Sequence, residues 1–316
     1  MKSVRIEAPA RLHWGMFDIS GTLGRRFGGL GVAISRPKVV LTASAANSLS
    51  ASGPEADRVL EFARTYLANS GIRAGAELCV EQAIPGHVGL GSGTKLALAV
   101  AQALAVLFNQ PTDTTTLTVA VGRGKRSGVG MWSFAQGGLI VEGGERVDRS
   151  APSPLLMRYP MPPDWRCVIA TPPQQPGLSG DAEADAFAQI DPTAELAAKI
   201  SHVTLMSLLP ALVEADLAEF GAALTRVQQL VGECFSPVQG GNFANPQSAA
   251  LVEDWLNRGA AGAGQSSWGP TVFALVGSEA QGRQLVEQTK ARLNGQGRVQ
   301  LVEFDNDGVK VERNGT

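Results

Sequence analysis

Apolar positions in the first half of the chain follow two periods. Residues 4–9 (VRIEAP) and 30–45 (starting LGVAISRPKVVLTAS) alternate or run β-branched, which predicts strands on either side of the glycine-rich piece GTLGRRFGG. EADRVLEFARTYLANS, residues 55–70, predicts a helix stopped by Gly71. ELCVEQAIP predicts a strand running into Pro85. GHVGLGSGTKLALAVAQALAVLFNQP follows as a glycine loop opening a long apolar helix that ends before Pro111. TTTLTVAVGRG is a second helix candidate, and MWSFAQGGLIVEGGERV returns to strand and hairpin.

Residues 150–164, SAPSPLLMRYPMPPD, are proline-rich and read as a linker, so the domains are expected at 1–155 and 156–316. Beyond it, WRCVIATP predicts a strand, and helices follow at about 193–214 and 215–233. QSAALVEDWLNRG is another helix. GAAGAGQSSWGPTVFALVG reads as a glycine turn running into a strand. The helix EAQGRQLVEQTKARL and a final strand, VQLVEF, close the pattern. Strands mixed with helices in both halves predict an α+β fold.

Composition narrows the functional classes. A net charge of -2 gives no electrostatic case for nucleic acid or an anionic membrane. Leu96–Phe108 is the longest apolar stretch, too short to span a bilayer. The start, MKSVRIEAPARLHWG, lacks a continuous apolar run of the secretory kind, so a cytoplasmic protein is expected. Cys79, Cys167 and Cys234 lie far apart and are expected as reduced, mostly buried thiols. His13, His87 and His202 are too scattered for a closed zinc site.

The strongest chemical signal is PGHVGLGSGT, residues 85–94, placed before the apolar helix. Gly89, Gly91 and Gly93 permit tight turns that aim amide N–H groups at one spot. Ser92 and Thr94 add hydroxyls, and the helix adds its positive dipole end. Lys95 would add a full charge. Together these suit a phosphate, although the spacing matches no Walker loop. Near the N-terminus, Arg11, Arg25 and Arg26 are able to clamp phosphate oxygens, Asp18 to hold a metal or a ribose hydroxyl, and His13 to be either structural or catalytic. GRGKRSG, residues 122–128, adds Arg123 and Ser127. A second Gly/Ser turn, residues 262–269, adds Gln265, Ser266 and Ser267.

These three parts resemble the GHMP kinase superfamily. APARLHW is similar to its first motif, with Arg11 where lysine is usual. PGHVGLGSGTKLAL is similar to its phosphate-binding motif, and GAGQSSWGPTVFAL to its third. The resemblance implies an N-terminal α+β domain and a C-terminal ferredoxin-like domain with the site between them. Many such kinases carry Ser-Gly-x-Asp some eight residues before Gly-Gly. Here Ser127-Gly-Val-Gly130 precedes Gly137-Gly138, so Gly130 stands in the place of that Asp. Glycine accepts no proton, so a base-assisted kinase step has no support at this position.

A narrower family is closer. The chain resembles the β-ribofuranosylaminobenzene 5'-phosphate synthases in RLHWGMFDISGTLGRRFGGLGVAI, GLGSGT, GRGKRSGVG, GLSGDAEADAF (177–187) and GQSSWGPTVFAL. Lys95 departs from it, since an uncharged residue such as Gln is expected there. The resemblance implies condensation of phosphoribosyl pyrophosphate with 4-aminobenzoate or 4-hydroxybenzoate, loss of pyrophosphate and CO2, a Mg2+ cofactor and a homodimer. It assigns Arg11, His13, Asp18 and Arg26 to catalysis and Asp18 to the metal. Arg25, the loop residues Gly89, Gly91, Ser92, Gly93, Thr94 and Lys95, Arg123, Ser127, Glu183, Gln265, Ser266 and Ser267 are assigned to substrate. Two alternatives stay open: an ATP-dependent kinase drawing a replacement carboxylate from Asp181, Glu183 or Asp185, and a non-catalytic binder of the same donor.

Overall fold

Alternation sets the first sheet. In strand β1 (Ser3–Asp18) the side chains of Val4, Ile6, Ala8, Ala10 and Leu12 all turn inward, and β1 forms a long antiparallel hairpin with β2 (Arg25–Ala46). The computed structural model describes residues 2–149, 151–173, 185–190 and 193–314. Glu183 and Asp181 lie outside the described residues, as does most of GLSGDAEADAF. The sheet continues through β3 (Ser50–Ser52), β4 (Gly75–Gln82), β5 (Leu139–Glu142), β6 (Glu145–Arg146) and β7 (Leu155–Tyr159). Helix α2 (Ser92–Leu107) is apolar on all sides because it lies between this sheet and the helices α1 (Ala56–Asn69), α3 (Thr114–Ala120) and α4 (Val129–Gln136).

The second sheet contains β8 (Arg166–Thr171), β9 (Gly262–Gln265), β10 (Val272–Val276) and β11 (Arg298–Glu303). Its spatial order is β11-β8-β10-β9 with every pairing antiparallel, the ferredoxin-like arrangement expected of this half. Around it run α5 (Ala194–Val203), which continues through a π turn into α6 (Leu209–Val213), then α7 (Leu217–Gln239), α8 (Pro246–Asn257) and α9 (Glu279–Arg292). The run Ala194–Val213 is long and apolar enough, by length and composition alone, to cross a membrane. In this fold α5 packs on α7 and β1.

A bulge in the hairpin places Trp14 opposite no residue of β2 and sends it into the space between the two halves. There Trp14 meets Phe220, Phe273 and Phe304 at ring-centroid distances of 5.9, 5.8 and 6.5 Å, so one core spans both sheets.

Several expectations change. MWSFAQ lies wholly in helix α4 rather than strand, because it packs against α2, β1 and β2. The proline-rich stretch, expected as a linker, contains β7, which pairs with β5 and carries the first sheet to Tyr159. The tail returns as β12 (Lys310–Asn314) on the edge of β1, which returns the end of the chain to the first sheet. GAGQ is strand β9 rather than turn. Cys167 is buried, Cys234 is half-buried and Cys79 is exposed; all three are free thiols.

Candidate active site

Three segments distant in sequence meet at the carbonyl of Gly89. Arg11 Nη1 donates to it at 2.5 Å and Ser266 Oγ at 2.6 Å. The same Ser266 oxygen accepts the His13 N–H at 2.9 Å, and the Ser267 N–H donates to the His13 carbonyl at 3.1 Å. Gly89 has φ 84°, and a β-carbon there would stand 2.3 Å from the Ser266 carbonyl oxygen, so only glycine permits this approach. Ser266 is fully buried and spends its hydroxyl joining loops. Gln265 is similarly engaged, accepting from Ala244 N–H at 2.7 Å and donating to the Ser267 carbonyl at 3.0 Å.

The first turn of α2 presents Ser92, Gly93 and Thr94 after Gly91, which caps the helix in the left-handed conformation. Two arginines flank this end. A β-carbon on Gly93 would lie 3.2 Å from Arg58 and 3.8 Å from Arg123. Both guanidinium groups lie over the Phe62 ring, at 5.9 and 5.0 Å, and Glu55 holds Arg58 at 2.6 Å. Burial, with Arg58 alongside, pushes the Arg123 pKa down, so an anion here would relieve the pair. Helix dipole, amide N–H groups and two cations together have the chemistry to receive an anion. Arg58 was not foreseen from sequence.

Lys95 does not join that site. Its side chain is completely buried and turns toward α4, where Nζ donates to Ser133 Oγ at 2.9 Å and lies 5.9 Å from the Phe134 ring. Burial holds its pKa well below the ordinary lysine value, with Arg11 adding to the effect.

At the far end of the hairpin, Asp18 sits across from Phe27, and its Oδ1 accepts from Ser20 N–H at 2.7 Å and Ser20 Oγ at 2.6 Å. Arg25 donates to the Gly144 carbonyl at 2.9 Å, and Arg26 pairs with Glu145 at 2.8 Å. Arg26, Lys125, Arg126, Arg146 and Arg149 line an open cleft of about 690 Å³, against the carboxylates of Glu145 and Asp148. Among the described residues no three His, Cys, Asp or Glu side chains gather as a metal site.

Phe187 links this cleft to an aromatic pocket lined by His13, Phe235, Trp268, Gln228 and Gln265. The three rings meet edge to face at 4.7–5.8 Å. Behind the pocket His13 Nε2 lies 3.1 Å from Ser127 Oγ, which donates to Glu142 Oε1 at 3.2 Å and accepts the Val129 N–H at 3.2 Å. Glu142 is fully buried, and its Oε2 accepts the Gly144 N–H at 2.8 Å. Burial, with Arg11 nearby, lowers the His13 pKa to about 3, so the imidazole is neutral. Burial raises Glu142 despite the donors around it.

Models of the GHMP kinase N-terminal and C-terminal domains match residues 57–138 and 208–295. A β-ribofuranosylphenol 5'-phosphate synthase of Methanothermobacter thermautotrophicus is 31% identical, over 96% of this chain and 97% of that protein. Another, from Archaeoglobus fulgidus, is 33% identical over 88% of this chain and 90% of that protein. The chain belongs to the β-ribofuranosylphenol 5'-phosphate synthase family. Among solved structures, homoserine kinase from Cytophaga hutchinsonii superposes with TM-score 0.71 at 17% identity, covering 98% of this chain and 97% of its own. The mevalonate kinase of Methanococcus jannaschii gives 0.68 at 14% identity, covering 96% and 98%. These likenesses confirm the GHMP kinase fold.

Within this synthase family member, Gly130 lies in the first turn of α4, facing Thr94 of the phosphate loop. The kinase scaffold therefore keeps the loop and has no carboxylate at that position. Arg58 and Glu142 are the residues that motif reading missed. The available signal for Glu142 was a glutamate ending the apolar strand LIVE before two glycines.

Proposed function

We propose that this chain joins phosphoribosyl pyrophosphate to 4-hydroxybenzoate or 4-aminobenzoate, with loss of pyrophosphate and CO2, to give an aryl C-riboside 5'-phosphate. The observation that carries the reading is the junction at Gly89 and Ser266, which sets an arginine-flanked helix N-terminus beside an aromatic pocket. The first suits the charge that builds on a departing diphosphate; the second has aromatic walls that suit a flat ring but encloses only about 40 Å³, so it would have to open to admit one. The ring carbon bearing the carboxylate attacks the anomeric carbon as diphosphate leaves, and CO2 then departs to restore aromaticity. No proton is removed overall, which agrees with glycine at position 130.

Mg2+ belongs to this proposal: Asp18, one of whose oxygens serves Ser20, would hold it at the far end of the hairpin, next to Ile19 of the cation-lined cleft, where it would neutralise charge on a donor phosphate seated there. Asp18→Asn should then lose Mg2+-dependent turnover while staying folded, as followed by titrating the metal against rate. A homodimer in the cytoplasm completes the proposal, and sedimentation equilibrium tests the dimer. The reaction itself is tested by incubating the protein with Mg2+, phosphoribosyl pyrophosphate and each benzoate. The expected product shows a carbon–carbon bond between ring and anomeric carbon by NMR. An ester or an N-riboside would refute the reading.

A further inference from the structure

His13, Ser127 and Glu142 form a hydrogen-bonded chain from the aromatic pocket to a carboxyl with no access to water. The donors fix its direction. With Glu142 ionised, Ser127 gives its one hydroxyl proton to that carboxylate, and its oxygen already accepts the Val129 N–H. Its remaining contact, with His13 Nε2, is then an acceptor contact, which assigns the His13 proton to Nε2 whenever Glu142 is ionised. Nδ1 is left with a lone pair, and His13 lines the pocket.

We propose that His13, Ser127 and Glu142 are a proton relay that borrows the para proton of the ring acceptor during carbon–carbon bond formation and returns it when CO2 leaves. The inference rests on the ribosyl-transfer reading above. As the ring carbon bonds to the anomeric carbon, the bond from that carbon to diphosphate breaks and its electron pair leaves with diphosphate. The para O–H, or N–H of an amine, gives its proton to His13 Nδ1. The Nε2 proton passes to Ser127, and the Ser127 proton passes to Glu142. The ring is then a neutral dienone, or its imine counterpart. When the bond to CO2 breaks, its electron pair refills the ring, the para heteroatom takes the proton back, and the relay resets. His13 never persists as a cation, in keeping with a buried imidazole beside Arg11. Glu142, raised by burial, is suited to hold a proton briefly.

Two measurements test this. The protein has three histidines, so 15N NMR resolves the His13 tautomer, with His13→Gln identifying its signals. Nε2–H in the resting protein is expected; Nδ1–H or an imidazolium at neutral pH overturns the relay. Second, Glu142→Gln places an amide donor against Ser127 and reverses the chain. Turnover with 4-hydroxybenzoate should fall about 100-fold, the usual scale of lost proton transfer, with donor KM unchanged. With 3,5-difluoro-4-hydroxybenzoate, whose phenol is already largely ionised at neutral pH, the loss relative to wild type should shrink to less than about tenfold. An equal loss on both acceptors, or none on either, refutes the relay. Ser127→Ala cuts the same chain with a smaller change in the core and should show the same selective rescue if the Gln variant does not fold. Failure of the wild type to release CO2 from either acceptor sinks the ribosyl-transfer reading, and the relay with it. CO2 release with the wrong tautomer sinks the relay alone.

Discussion

Gly130 is helical, so an added side chain there meets no left-handed strain; it meets Thr94, whose Cγ2 would lie 3.1 Å from a new β-carbon. Gly130→Asp therefore puts a carboxylate against the phosphate loop. At an effective dielectric near 20 and ~5 Å, like-charge repulsion is on the order of 3 kcal/mol before screening. Donor affinity should fall about tenfold or more, with no gain in phosphoryl transfer and none in CO2 release. Equilibrium binding of the donor checks the first, and paired assays the second. Lys95 makes a different prediction. Because burial depresses its pKa in the folded protein below the ordinary 10.5, the unfolded chain binds this proton more readily. Stability contributed through Lys95 rises as pH climbs toward 10.5 and is lost as pH falls. Lys95→Met should flatten that slope in urea unfolding at several pH values. It should leave donor KM within about twofold, because the side chain points away from the loop. A large rise in donor KM would return Lys95 to the phosphate site.

α1 and the turn after α3 bring Arg58 and Arg123 to the N-terminus of α2, where the donor diphosphate is proposed to bind. Arg58→Gln and Arg123→Gln should each raise donor KM about tenfold, some 1.4 kcal/mol, and leave acceptor KM alone. Steady-state kinetics with each substrate varied in turn checks this; a rise in acceptor KM would place the ring, not the donor, at this end. The glycine loop was readable because its composition is itself the signal. Arg58 was not: within EADRVLEFARTYLANS it looks like the solvated face of an ordinary helix, and only packing shows what it faces. Glu142 was hidden for the same reason, since its partners come from β1 and from the loop before α4. Ser266 and Gln265 were read as ligands for substrate, and their hydrogen bonds in the fold join the loops to one another.

The mixture of strands and helices in both halves was legible in the apolar pattern, whereas the ferredoxin-like order of the second sheet came from the resemblance to the GHMP kinases and not from periodicity. The misreadings fall where a short segment takes its structure from its neighbours. Every residue of β12 is exposed, so KVERN has no alternation to display, and only the open edge of β1 makes it a strand. MWSFAQ is too short and too apolar for its period to decide between strand and helix. What the assembled molecule claims is that a kinase scaffold, its phosphate loop intact and Gly130 in place of a base, now transfers ribose instead of phosphate. One preparation of the protein with Mg2+ should be assayed in parallel for CO2 release from carboxyl-labelled 4-hydroxybenzoate and 4-aminobenzoate and for phosphoryl transfer from ATP to small alcohols. CO2 release that depends on phosphoribosyl pyrophosphate, with no phosphoryl transfer, is the expected result. Phosphoryl transfer from ATP at rates above CO2 release would contradict it.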